Sequence, residues 1–402
     1  MHVVRSRPSP PARPPVRSRS RHPRRALAPF LLAATLASCT PAPAPEFRVG
    51  LIGVFDGAAA ASSGLPARQG AQIAVDALNA GGGVRIGGVA HTVVLVDRET
   101  DMRPDAAATV ARALINLDSV DVIVGPQQSA FALAAGTVAE ASEVPLVAPM
   151  ASSPSVTADR RLVTRLAFLD ATQGRVLAQF AYDSLGARRA AALFNAASPY
   201  GREISTLFRE TFEAHGGTMV GEATFDADDP ASHSVAIRQL VATAPDVLLL
   251  PNFTVRDSSQ FRLARSLGFR GRLLGSDAWD AVALSRRAEV QGAIIVANWD
   301  RRNDDTASRQ FRDAFAARHP GETVRATAAA TYDAIMLLAR AATRAGARSG
   351  AVVMDSLRAT GVYEGAFGRY RFVGTGDPER GASLLEVTSD STRVRAVVAP
   401  TP

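Results

Sequence analysis

Residues 121–149 read DVIVGPQQSAFALAAGTVAEASEVPLVAP. An apolar run, DVIV, stops at Gly125-Pro126. An alanine-rich segment of helical period starts at Ser129, and a second apolar run, VPLVAP, follows at 144–149. Short apolar runs bounded by turn residues read as buried strands, and two of them joined through a helix pair in parallel. The first strand thus ends in a tight turn and then offers Gln127, Gln128 and Ser129 where a helix begins. Such a place serves as a polar helix cap or as the floor of a binding site.

The same alternation runs outward in both directions. RVGLIGVF (48–55) precedes a helical segment from Ser63 to Asn79, with apolar or small residues at Ala67, Ala71, Ala74 and Leu78. HTVVLVD (91–97) precedes PDAAATVARALINLD (104–118), where Pro104 suits a first helical turn. Beyond 149 come a helix after Thr172, RRAAALF (188–194) and a helix from Tyr200 to His215 that Gly216-Gly217 ends. TMVGEATF, a helix through IRQLVATA, DVLLL (246–250), a helix through SQFRLARSLG, then RLLG and GAIIVA continue the series. Strand and helix repeated this often predict an α/β protein of parallel sheets with right-handed crossovers. With 402 residues and 47% hydrophobic content, the chain supplies two cores rather than one. From Tyr363 to Val397 the period changes to that of antiparallel strands around a Gly-Asp-Pro turn.

The formal charge of +7 resides in the first residues. Eight arginines and no acid fall within 1–38, which leaves the remainder at −1 and removes the electrostatic case for nucleic acid. After Arg24-Arg25 comes the apolar run ALAPFLLAATLA (26–37), then Ser38-Cys39. A basic start, a short apolar run and small residues form a secretory signal, and the run is too short to span a bilayer. Leu36-Ala37-Ser38-Cys39 resembles the bacterial lipobox, whose cysteine becomes the lipidated first residue of the mature chain. Cys39 is the only cysteine, so no internal disulfide is available. TPAPAP (40–45) reads as a stiff, extended tether.

In open parallel sheets ligands bind beyond the carboxyl ends of the strands. At those ends lie Gln127-Gln128-Ser129, Met150-Ala151-Ser152-Ser153, Ser198-Pro199-Tyr200, Asn252-Phe253 and Ser276-Asp277-Ala278-Trp279. Ser129 and Ser152 can each bring a hydroxyl and free backbone N–H groups to an anion; the alternative is that both simply cap or turn the chain. Asp277 can fix an ammonium group, or cap the helix that follows. Tyr200, Phe253 and Trp279 can wall a site, although aromatics at a sheet edge more often belong to the core.

Catalytic constellations are lacking. The histidines show no metal-ligand spacing, no G-x-S-x-G elbow or phosphate loop occurs, and the chain has no lysine for Schiff-base chemistry. The acidic runs VDRETD (96–101) and FDADDP (225–230) lack the glycine and glutamate of a calcium loop. These features predict no metal, no cofactor and no enzymatic activity.

Several phrases, in order from Phe47 to the C-terminus, resemble the type I periplasmic binding proteins of the leucine/isoleucine/valine-binding family, which deliver ligands to ABC importers. They are GAQIAVDALNAGGGV (70–84), DVIVGPQQS (121–129), VPLVAPMASSP (144–154), SPYGRE (198–203), APDVLLL (244–250), ARSLGF (264–269), LLGSDAWD (273–280), TYDA (331–334) and GAFGRYRF (365–372). The resemblance implies two Rossmann-like α/β lobes with parallel sheets, joined by a three-strand hinge and closing over a ligand. It implies a signal peptide over 1–38, lipidated Cys39 and tether over 39–46, an N-terminal lobe of 47–168 plus 300–360, and a C-terminal lobe of 169–299 plus 361–402.

By the same resemblance a ligand carboxylate meets Ser129 and Ser152. The ammonium group meets the backbone carbonyl of Met150, the Ser152 hydroxyl and Asp277, and Tyr200 and Phe253 cover the ligand. Ser63-Gly64 stands where aliphatic-binding relatives often have tyrosine-glycine, Phe253 where tyrosine is common, and Gln127-Gln128 where residues are often small or apolar. The expected function is an exported lipoprotein that binds an amino acid or similar small amine or carboxylate. Its partners would be an ABC permease and, through the lipid on Cys39, the membrane of the periplasm or outer cell face. The alternative is an envelope lipoprotein of this fold that regulates or senses through protein partners, and a converging polar cleft discriminates between the two.

Overall fold

The computed structural model describes residues 44–399 apart from 58–59, 102, 227–228, 230, 253, 280–283 and 390, the backbone alone of 254–258, and, separately, Pro15. The leader, the lipobox with Cys39, most of the tether and Phe253 lie outside the described residues.

The first sheet holds β1 (Glu46–Gly53), β2 (Val84–Ile86), β3 (Val89–Glu99), β4 (Val122–Val124), β5 (Leu146–Ala148) and β6 (Val163–Arg165), in the order β2-β3-β1-β4-β5-β6. Every pairing is parallel except β2 with β3. Alternate residues of a strand face opposite ways, so β1 serves two cores at once. Phe47, Val49 and Leu51 pack with α1 (Gly64–Ala80) and the long C-terminal helices, whereas Ile52 packs with α2 (Pro104–Asn116) and α3 (Ser129–Ala141). This two-sided burial is why the strands read as continuous apolar runs rather than alternating ones.

The second sheet is built from β7 (Arg189–Asn195), β8 (Thr218–Phe225), β9 (Val247–Leu250), β10 (Arg272–Gly275) and β11 (Ile294–Ala297), extended by β14 (Ala382–Val387) and β15 (Thr392–Val398). Its order is β15-β14-β11-β10-β9-β7-β8, parallel from β8 to β11 and antiparallel at β14 and β15. Ala190, Ala192 and Leu249 face α4 (Asp170–Asp183) and α5 (Pro199–Ala214). Ala191, Leu193 and Leu248 face α6 (Ser232–Ala242) and α7 (Thr254–Ser266). The Ser198 hydroxyl caps α5 by accepting from Gly201 N at 3.1 Å.

The helical stretch α8 (Thr306–Arg318), α9 (Ala326–Ala345) and α10 (Ala351–Arg358) returns to the first lobe, outside the strand–helix alternation read from the sequence. Gly70 of α1 lets that helix touch α9, since a Cβ there would sit 2.0 Å from the Ala328 carbonyl oxygen. The expected antiparallel tail is present, but it divides. The hairpin β12 (Val362–Gly365) and β13 (Gly368–Arg371) buries Ala366, Phe367, Tyr370 and Phe372 in the first core, so 362–372 leaves the C-terminal lobe in which the sequence reading had put it. The cause is Asp333 on α9, which accepts from Ala366 N (2.8 Å), Phe367 N (2.9 Å) and the Tyr370 hydroxyl (2.9 Å) and thereby pins the hairpin.

Three segments pass between the lobes: 166–169, 298–305 and 372–381. One guanidinium ties them. The buried Arg380 donates to the carbonyls of Leu166 (2.9 Å) and Asn298, and to that of Phe367 (3.1 Å).

Candidate functional site

The stretch after β4 does two jobs. Gly125 has φ +85°, and a Cβ there would lie 2.4 Å from the Ile52 carbonyl oxygen, so the strand end requires glycine. Gln128 is the N-cap residue of α3, its carbonyl accepting from Ala132 N at 2.9 Å while its half-buried side chain makes no cap bond. Ser129 is buried, and its hydroxyl oxygen accepts from the backbone N–H of Ser152 (3.3 Å) and of Ser153 (3.2 Å). The hydroxyl therefore holds the loop after β5 in place rather than capping its own helix.

From that loop a hydrogen-bonded path leads into the second lobe. The Ser152 carbonyl accepts from Asp170 N at 3.0 Å, where β6 has run into α4. Gln173, one turn on, donates to Asp170 Oδ1 at 3.1 Å and accepts from the backbone N–H of Asp277 at 3.0 Å. The Tyr200 hydroxyl donates to Asp277 Oδ1 at 2.7 Å, and Asn298 Nδ2 donates to Oδ2. Across the lobes, the Ser153 hydroxyl reaches Glu203 of α5 at 3.4 Å. Ser129, Ser152, Tyr200 and Asp277, four of the residues chosen from strand ends, thus converge on one polar cluster.

Burial sets the charge state of that cluster. It pushes the Asp277 carboxyl up to about 6 against the opposing hydrogen bonds of Tyr200, Gln173 and Asn298. Burial likewise drives Asp170 well above the usual range; the Ser152 hydroxyl opposes the rise and the neighbouring Asp277 and Glu203 add to it. Tyr200 is held protonated by burial and by Asp277, which keeps it a donor.

The other sequence candidates lie around this cluster. Gln127 turns toward α9, donating to Thr331 Oγ1 at 3.4 Å, while its Oε1 is buried without a hydrogen-bond partner among the described residues. The Met150 side chain packs against the first core, and Ser63 sits half-buried at the start of α1 with no side-chain cap bond. Trp279 belongs to the second core, its indole N–H donating to the Leu250 carbonyl at 2.9 Å.

The sequence profile of the family described as periplasmic binding protein matches residues 46–392. The chain belongs to the periplasmic binding protein family. It is 26% identical over 337 residues to the Leu/Ile/Val-binding protein BraC3 of Rhizobium johnstonii, covering 83% of this chain and 89% of that one. Among solved structures, it is similar to the leucine-binding protein LivK of Thermotoga maritima, with a TM-score of 0.81 and 28% identity over 88% of this chain and 99% of that one. The branched-chain amino acid transporter substrate-binding protein LivJ of Streptococcus pneumoniae, in complex with isoleucine, gives a TM-score of 0.79 at 25% identity, covering 89% of this chain and all of that one. A benzoate-bound solute-binding protein from R. palustris shares the fold, with a TM-score of 0.77 at 20% identity over 88% of this chain and 97% of that one.

As a periplasmic binding protein the chain is an exported solute-binding protein, not an enzyme. No helix among its described residues is long and apolar enough to cross a membrane. Sequence reasoning missed Asp170, Gln173, Glu203, Asn298 and Arg380. Asp170 and Gln173 follow β6, whose three residues, VTR, include two polar ones and so form no apolar run. Had VTR been read as a strand, the strand-end rule would have selected LDATQG as well.

Proposed function

We propose that this periplasmic binding protein is the lipid-anchored receptor of an ABC importer and binds an amino acid or similar small amine in the cleft between its lobes. The observation that carries the reading is Asp277. A half-buried carboxyl at a strand end, surrounded by neutral donors, can take a ligand ammonium group by a charge-assisted hydrogen bond. Relatives named for leucine, isoleucine and valine binding supply the ligand class.

In this reading the ligand carboxylate meets Ser129 and Ser152, Met150 offers its carbonyl, and Tyr200 and Phe253 are assigned to cover the ligand. Gln127, Gln128 and Ser63 shape the pocket for its side chain. Binding closes the lobes about 166–169, 298–305 and 372–381, and the permease recognises the closed form. Cys39, lipidated after removal of the leader, and the proline-rich tether keep the receptor at the membrane. Calorimetry against a panel of amino acids, amides and aromatic acids tests the reading. Saturable binding that disappears in Asp277→Ala is the expected result, and binding that survives it removes the ammonium assignment.

A further inference from the structure

The charges of the polar cluster do not balance. Asp170, Glu203 and Asp277 gather from α4, α5 and the end of β10 within one polar cluster. The Asp170 side chain is wholly buried; Oδ1 takes Gln173, the Ser152 hydroxyl lies beside the carboxyl, and Oδ2 has no hydrogen-bond partner of its own among the described residues. Both Asp277 oxygens are held by neutral groups, and Glu203 by a hydroxyl.

Nearby cations are already engaged. Arg165, fully buried, forms an ion pair with Asp377 at 2.5 Å and donates to the Ala151 carbonyl and the Thr157 hydroxyl. Arg380 is shared among three carbonyls and lies over the rings of Phe367 (4.3 Å) and Tyr370 (5.0 Å), with Asp333 as its other carboxyl neighbour. The donors that a ligand carboxylate would use are partly spent as well, because Ser152 N and Ser153 N both point to Ser129 Oγ. An added carboxylate would meet three carboxyls and find two amides engaged; an added cation would meet an orphaned acceptor in a medium that strengthens the attraction.

We infer that the cleft selects a ligand of net positive charge, its ammonium group set between Asp170 and Asp277, over a zwitterion of the same carbon skeleton. This rests on the proposed role of the cleft as the ligand site. Asp277 supplies the ammonium contact common to both kinds of ligand, and Asp170, reinforced by Glu203, supplies the preference. The upward shifts of all three carboxyls agree with an unfilled requirement for positive charge, since each marks an ionised form short of compensation.

Two matched pairs test it by calorimetry on the processed protein purified in mild detergent: leucine against 3-methylbutylamine, and norleucine against lysine. The expected result is that the cation of at least one pair binds about tenfold or more tightly than its zwitterion. Asp170→Asn should bring that ratio close to one. Glu203→Gln, a half-buried position in the first turns of α5, provides the same readout should Asp170→Asn fail to fold. Zwitterions that bind as well as or better than both cations overturn the charge preference and leave an amino-acid receptor standing. Absence of binding by all four compounds overturns both readings. A cation preference that neither variant changes assigns the selection elsewhere and overturns the role of these carboxyls.

Discussion

Arg380 donates to the backbone carbonyl of Asn298, the residue whose side chain holds Asp277 Oδ2. Asp277 is thereby linked through one intermediate to the guanidinium that binds the crossing segments together.

Replacing Arg380 should therefore damage stability and binding together. In Arg380→Met three buried carbonyls lose a donor and Asp333 and Asp277 lose a nearby positive charge, for an expected cost on the order of 3–5 kcal/mol. Arg380→Lys should recover only part of this, because one ammonium cannot reproduce a planar fork directed at separate acceptors. Denaturant melts of the three proteins measure the effect. A loss below about 1 kcal/mol in Arg380→Met would show that the crossing segments hold without it.

Asp277 makes stability depend on pH in a definite direction. Its folded value of about 6 lies above the ordinary carboxyl value of 3.8, so between these the folded protein holds the extra proton. The Asp277 contribution to stability is thus favourable at low pH and falls as pH rises from about 4 to about 6. Asp277→Asn cannot titrate, so its stability relative to wild type should be better at pH 7.5 than at pH 4.5. Urea melts at the two values check the slope, and an unchanged difference contradicts it.

Binding should carry the opposite dependence at the same residue. A ligand ammonium requires the ionised carboxylate, so affinity should weaken as pH is lowered through about 6. In Asp277→Ala the affinity should fall by a hundredfold or more at neutral pH, since removing one partner of a buried charge pair costs several kcal/mol. Titration calorimetry at pH 5.5 and 7.5 reads both effects.

Ser129→Ala should loosen the loop that carries Ser152 and Ser153. Two buried backbone N–H groups would lose their acceptor, at about 1–3 kcal/mol, and ligand affinity should drop with stability. Ser129→Thr keeps the oxygen and should retain most of both. Thermal melts with and without ligand separate a stability loss from a binding loss.

Gly125→Ala should destabilise by about 2 kcal/mol or more through its left-handed backbone and the overlap with Ile52. The measurement is the midpoint of chemical unfolding, and a shift equivalent to less than about 0.5 kcal/mol would mean that β1 and β4 separate easily.

The central parallel strands were legible because they are buried on both faces and leave uninterrupted apolar runs, as in DVIVG and DVLLL. The strand-end rule then selected Ser129, Ser152, Tyr200 and Asp277 without knowledge of the tertiary fold. It passed over Asp170 because β6 reads VTR, two of its three residues polar, and so shows no apolar run; Asn298 directly follows the GAIIVA strand and went unselected although the rule reaches it, and Arg380 follows no strand of the parallel series. The hairpin at 362–371 was legible as antiparallel and illegible as to lobe, since its apolar residues fit either core and only Asp333, some thirty residues earlier, decides between them.

By itself the sequence determined the alternation of buried strands and helices and the groups offered at the strand ends. These depend on local period and composition, which the chain carries wherever it goes. The tertiary structure decided which of those groups meet, that Ser129 spends its hydroxyl on the 152–153 loop, that Asp170 and Asp277 share a cluster, and that Arg380 gathers the crossing segments. Those relations join residues as much as two hundred positions apart in the chain, and burial, not sequence period, fixes their charge states and their partners.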